Sequence, residues 1–295
     1  MRVTENLINN RALSDIQNVM RRYADLNSQL TSGKTVRYPS DNASVASRIS
    51  NLDSRIREID RYKSNIDLAE TYTNMYDTTT KEVNSVFLRI KELAVQGANG
   101  TLSDEDRNSI VQELGKLNEH LISVANTKIG NRYIFGGAQS DKQPISSDGS
   151  VQTLPSANIK QKISVGGYNI EYGLTAYDTF VTKSGTTAFQ IVDRLKQALA
   201  DGKNDEIQNE LGAIEEIQSK TLSATAQIGG TEKMLELSKT RMEDFNQFTT
   251  AYLSKESDAD ITKVLTDLKM QNMVLQSALK TTAQIVPPTL VDFMR

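Results

Sequence analysis

Cysteine and tryptophan are both missing from this chain of 295 residues. Without thiols there is no disulfide, no thiolate nucleophile and no zinc–thiolate site, and the redox compartment stays open. Aromatic residues are only 6% of the whole, so a large compact core filled with rings is not expected and an elongated, helix-rich architecture fits better. No run of about 18 apolar residues is present to span a bilayer, and Met1–Asn10 lacks the apolar centre of a signal peptide. Export by a dedicated machine that reads an uncleaved terminus stays compatible with this. The 34 basic and 37 acidic residues give a net charge of -3 and are dispersed along the chain. No basic block is available to neutralise a phosphate backbone, which argues against nucleic acid as a partner.

What the chain does have is helical periodicity. Leu13, Ile16, Met20, Tyr23 and Leu30 step by threes, fours and sevens, with Asn27 in the missing step, as in a heptad stripe. The stripe stops at Thr31-Ser32-Gly33, where glycine suits a left-handed cap, and Pro39 then imposes a turn. Ser40-Asp41-Asn42 offers capping oxygens for a second helix that ends near Gly97. Its stripe is Val45, Ile49, Leu52, Ile56, Ile59, Ile66, Val83, Val86, Ile90 and Leu93. A helix of roughly 55 residues is about 80 Å long and needs a partner for its apolar seam.

Ser103-Asp104-Glu105-Asp106 caps a third helix carrying Ile110, Leu114, Leu117, Leu121 and Val124, predicted to return along the second. After Gly130 the pattern changes. Ile163 and Val165, then Tyr168, Ile170 and Tyr172, alternate about Gly166-Gly167 and predict a β-hairpin. Helical spacing resumes with Phe189, Val192, Leu195 and Leu199, breaks at Asp201-Gly202 and continues from Ile207 to Tyr252. Ser257-Asp258 then caps a last helix with Ile261, Val264, Leu265, Leu268, Leu275 and Leu279, before Pro287-Pro288, Leu290 and Phe293.

This order is that of a chain folded back on itself. The expected class is mainly α: an elongated rod of long antiparallel helices from both chain halves, with a small β-rich insertion mid-sequence. Three domains are expected, namely residues 1–40 with 258–295, residues 41–140 with 185–257, and residues 141–184. The outer two helices form too narrow a pair to cover their own apolar surface. Neighbouring copies are expected to cover it, through Leu13, Ile16, Met20, Tyr23, Leu30, Ile261, Leu268, Leu275, Leu279, Leu290 and Phe293.

Several features imitate chemistry. Ser32-Gly33-Lys34-Thr35 ends like a phosphate loop, but Ser28 stands where that pattern needs glycine, and a helix precedes it. Asp104-Glu105-Asp106 lacks the glycine and distal glutamate of a calcium loop, and capping explains it. His120, the single histidine, sits between Glu119 and Leu121 beside a helical stripe, as a helix-flank residue does. No nucleophile, base or metal set emerges, so neither enzyme activity nor a cofactor is expected.

Both ends resemble the flagellin family. Leu26–Lys34 is similar to its Leu-Ser-Ser-Gly region, Ile90–Asn99 to its Arg-x-Leu-Ala-x-Gln-x-x-Asn signature, and Asp258–Leu279 to its last helix. Three places resemble the members that join hook to filament: Pro39, Ser40 and Asp41; Tyr133, Phe135, Gly136 and Gly137; and Thr289–Phe293. Asn42 and Ala43 stand where those members continue with aspartate and proline. The resemblance covers roughly residues 1–140 and 185–295.

It implies a structural subunit exported by the flagellar secretion apparatus without a cleaved signal peptide, extracellular in the flagellum, with no membrane partner. The implied partners are other copies in a ring, another hook-associated protein on the hook side, flagellin on the filament side and a flagellar export chaperone. It also implies terminal segments that order on assembly. Filament flagellin and a non-flagellar coiled-coil scaffold are the alternatives.

Overall fold

Each apolar stripe becomes a helix whose ends are set by local capping chemistry. The structure, a computed structural model, describes residues 2–98, 103–151 and 158–285. Its elements are α1 (Arg2–Ser32), α2 (Ala43–Gly97), α3 (Asp104–Ala125), β1 (Lys128–Ile129), β2 (Arg132–Tyr133), β3 (Lys162–Val165), β4 (Tyr168–Glu171), α4 (Ala176–Phe180), α5 (Ala188–Ala200), α6 (Asn204–Ser257) and α7 (Ile261–Ile285). The fold is mainly α, as expected.

Gly33 ends α1 with φ +68°, and its N–H donates to the Gln29 carbonyl at 2.8 Å. Asn42 Oδ1 accepts from the Val45 amide at 3.1 Å at the start of α2. Ser103 and Asp106 form a capping box on α3, and the Ser103 hydroxyl holds the Asp106 carboxyl below its ordinary range. The cap of α7 differs from expectation. Asp260 Oδ1 accepts from the amides of Thr262 at 3.0 Å and Lys263 at 3.1 Å. Asp258 is drawn away from that role by Lys34, whose ammonium lies 2.7 Å from its carboxylate.

The chain forms two compact units, Met1–Glu58 with Phe245–Arg295, and Ile59–Asp244. In the second unit α2, α3, α5, α6 and the small strands share one hydrophobic core. α3 packs on α5, with Leu114 and Leu121 buried on one and Phe189, Val192 and Leu195 on the other. Gly97 lets α2 approach α5, because a Cβ there would stand 2.1 Å from Leu199 Cδ2.

The gap in the α2 stripe between Ile66 and Val83 is filled by Tyr72, Thr73, Tyr76, Thr79 and Thr80, all buried. Thr73 and Thr80 donate to the carbonyls of Ala69 and Tyr76, each at 2.8 Å, and so satisfy their hydroxyls within the helix. Four rings from separate segments meet in a row inside this unit. Tyr76 meets Phe135 at 5.7 Å, Phe135 meets Phe180 at 5.2 Å, and Phe180 meets Phe189 at 5.5 Å between centroids. The Tyr76 hydroxyl donates to the carbonyl of Ile134 and, at 3.3 Å, to that of Leu174. Burial pushes its pKa well up.

Of the motif residues, Phe135, Gly136 and Gly137 serve this core, whereas Tyr133 is half-buried with the Lys128 ammonium 4.3 Å from its ring centre. Phe135 is its central ring, Gly136 leaves space for Ser140 Cα, which would be 2.9 Å from a Cβ, and Gly137 takes φ +56° to open a 3-10 turn. β3 and β4 form the predicted hairpin, pairing Val165 with Tyr168 across Gly166 (φ +57°) and Gly167 (φ +92°). Asn65 donates to the Ser164 carbonyl at 3.1 Å, and the Tyr168 and Ser238 hydroxyls are 2.8 Å apart. Ile163, Val165 and Ile170 thereby join the same core as the long helices.

Candidate assembly interface

The unit made of the chain ends is built around α1 and α7. Their connections form a short two-stranded clasp: Thr35 N–H donates to Ser257 O at 2.7 Å and Ala259 N–H to Gly33 O at 2.9 Å. Farther along, Gln271 Nε2 reaches the Val19 carbonyl at 3.5 Å. Residues 34 and 258, then 19 and 271, therefore face one another, so the two helices run antiparallel.

The half-buried apolar positions of α1 are Ala12, Ile16, Val19, Tyr23, Leu26 and Leu30. α7 offers Val264, Leu268, Gln271, Leu275 and Ala278. Both sets alternate steps of three and four, the spacing of a helix seam. The seam thus follows Val19 and Leu26 rather than Met20 and Asn27. Of the residues expected at the assembly surface, Ile16, Tyr23, Leu30, Leu268 and Leu275 lie half-buried along the pair.

Leu13, Met20, Ile261 and Leu279 remain 59%, 48%, 45% and 46% exposed. Leu265, Met270, Met273 and Val274 are also exposed. Of these four, only Leu265 belongs to the apolar stripe read from the sequence of α7. Leu290 and Phe293 lie outside the described residues. Pro39, Ser40 and Asp41 form an exposed turn in which Asp41 Oδ2 accepts from the amides of Arg37 at 3.2 Å and Tyr38 at 2.8 Å.

Among the described residues no group of three or more His, Asp or Glu side chains is placed to hold a metal ion. No described helix is long and apolar enough to cross a membrane. His120 Nε2 lies 3.0 Å from Glu82 Oε1, and both side chains are nearly half exposed. The notable feature of this unit is apolar surface, not reactive groups.

Comparison with known proteins accords with this picture. The bacterial flagellin N-terminal helical region matches residues 3–140. Flagellar hook-associated protein 3 of Escherichia coli is 24% identical over 95% of this chain and 95% of its own. A flagellin of Listeria innocua is 22% identical over 96% of this chain and 95% of its own. The solved structure of flagellar hook associated protein-3 from Legionella pneumophila superposes with a TM-score of 0.63 at 16% identity, covering 70% of this chain and 98% of the other, and shows a common fold. The motifs at both ends, the family match over residues 3–140 and these alignments along nearly the whole chain agree in making the chain similar to the flagellin family, and to its hook-associated proteins in particular.

Proposed function

We propose that the chain is a structural subunit of the bacterial flagellum that stands at the hook–filament junction and binds its neighbours through α1 and α7. The observation that carries this reading is the terminal unit. Two helices meet along one seam, yet Leu13, Met20, Leu265, Met273 and Leu279 stay open to solvent on their flanks. Apolar surface gains roughly 25 cal/mol per Å² when it leaves water, so such flanks favour further helices beside them.

In this reading other copies complete the packing in a ring, another hook-associated protein adjoins it on the hook side and flagellin on the filament side. The subunit travels through the flagellar secretion apparatus with its terminal helices unpaired, guarded by an export chaperone, and functions outside the cell. The terminal segments order as they bind. Kinship with hook-associated protein 3 over nearly the whole chain supports the junction. The alignment with flagellin, similar in extent, supports a filament-forming subunit as the second reading.

The test is addition of the purified full-length chain to purified hooks that already carry the adjoining hook-associated protein, with Leu13→Asp and Leu279→Asp combined in one variant. The variant is expected to keep the unfolding transition of residues 59–244 and to lose addition. Normal addition by the variant would overturn the reading. A single added layer marks the junction, and long polymers mark the filament.

A further inference from the structure

The contact between Gln271 and the Val19 carbonyl fixes the level at which α1 and α7 face each other. Met20 follows Val19, Met270 precedes Gln271, and Met273 stands two residues beyond it. At 1.5 Å rise per residue all three side chains leave the helix pair within about 3 Å of a common level. They are 48%, 54% and 63% exposed. Elsewhere Met242 is buried in the core of the other unit, Met75 is packed against that core, and Met234 is exposed on α6. Three of the eight methionines thus form a band around the terminal pair.

A thioether packs adaptably against another helix, and in a chain without cysteine it is the side chain most open to oxidation. Its sulfoxide is polar and chiral. A helix laid over the band would then bury an S–O group without a partner, which disfavours the contact.

We propose that Met20, Met270 and Met273 are an oxidation site that decides whether the free subunit can assemble. The oxidant is a hydroperoxide: its O–O bond breaks, one oxygen joins sulfur as the S–O bond forms, sulfur gives up two electrons, and the other oxygen leaves as water or alcohol. Assembled neighbours cover the band, so the reaction belongs to the unassembled subunit, where the three thioethers are open to solvent whether or not α1 and α7 have paired. This inference rests on the assembly role of α1 and α7 proposed above.

The test treats the purified full-length chain with hydrogen peroxide, maps the added oxygens on proteolytic peptides and measures addition to purified hooks that already carry the adjoining hook-associated protein. Met20, Met270 and Met273 are expected to gain oxygen well before Met242, and the treated chain to add at least about tenfold more slowly. A variant carrying Met20→Leu, Met270→Leu and Met273→Leu is expected to add normally before and after treatment, with every other methionine still present. Equal addition by treated and untreated wild-type chain would overturn the inference and leave the assembly reading standing. So would a loss of addition that persists in the leucine variant, or oxidation of Met242 as fast as the band. Failure of the untreated wild-type chain to add would overturn the assembly reading and this inference with it.

Discussion

The unit Ile59–Asp244 and the unit of the chain ends use the same kind of helix and differ in what surrounds it. In the first, every long helix turns its stripe toward other elements, and Ile66, Tyr76, Leu114, Phe135, Phe189 and Leu235 are essentially sealed from solvent. In the second, Val264 is the one buried apolar side chain among the described residues. The heptad spacing is as regular in α1 and α7 as anywhere in the chain. Spacing therefore says that a helix seeks partners, whereas burial says whether this chain contains them. The unit Ile59–Asp244 covers its stripes within the chain, whereas the stripes of the terminal unit stay largely open.

Hydrogen exchange on the free subunit gives the largest expected contrast. Amides of α1 and α7 should exchange about a thousandfold or more faster than those of α2 around Tyr76, since only the latter are tied to global unfolding. Comparable protection in both regions would break the comparison and favour a scaffold with preformed ends. Next in size is Phe135→Ala. This ring is fully buried between Tyr76 and Phe180, and its loss should destabilise the inner unit by about 3–5 kcal/mol in chemical denaturation. Leu30→Ala, at a half-buried position of α1, should leave that transition where it was.

Helix positions were legible because apolar spacing and caps are local properties. α2 begins after Asn42, α3 after Ser103, and the hairpin turns at Gly166-Gly167, each as the residues require. The α7 cap was misplaced because Asp258 and Asp260 are equally good caps locally. The ion pair that engages Asp258 comes from Lys34, far away in sequence. The meeting of Phe135, Phe180 and Phe189 with Tyr76 was hidden for the same reason, since it joins separate segments of the chain. Within the candidate interface, apolar residues were evident, but two interleaved stripes fit α1. Only packing against α7 puts Val19 and Leu26 inward and Leu13 and Met20 outward.

Tyr76→Phe tests the polar side of the same core. The substitution keeps the ring and removes the hydroxyl that donates to the Ile134 and Leu174 carbonyls. A loss of about 1–3 kcal/mol is expected, because a buried acceptor is left without its donor. A change near zero would show that the ring packing alone holds the three segments together.

The smallest effect belongs to the clasp. Lys34, followed by the Ser254 and Ser257 hydroxyls, lowers the Asp258 carboxyl from 3.8 to about 2. A carboxyl depressed in the folded state stabilises above its ordinary value and loses that contribution as pH falls from 3.8 toward about 2. Both partners are about half exposed, at 51% and 45%, so water and salt screen the pair strongly. The clasp also keeps its backbone hydrogen bonds when the charge is removed. Asp258→Asn should therefore hasten exchange of the Thr35 and Ala259 amides only modestly near neutral pH, and should abolish the acid dependence that the wild-type clasp shows between those two values. If the variant kept the acid dependence, another group would be responsible. If the two amides exchanged at wild-type rates, the backbone ladder alone would join the ends, and the charge pair would contribute nothing to aligning α1 with α7.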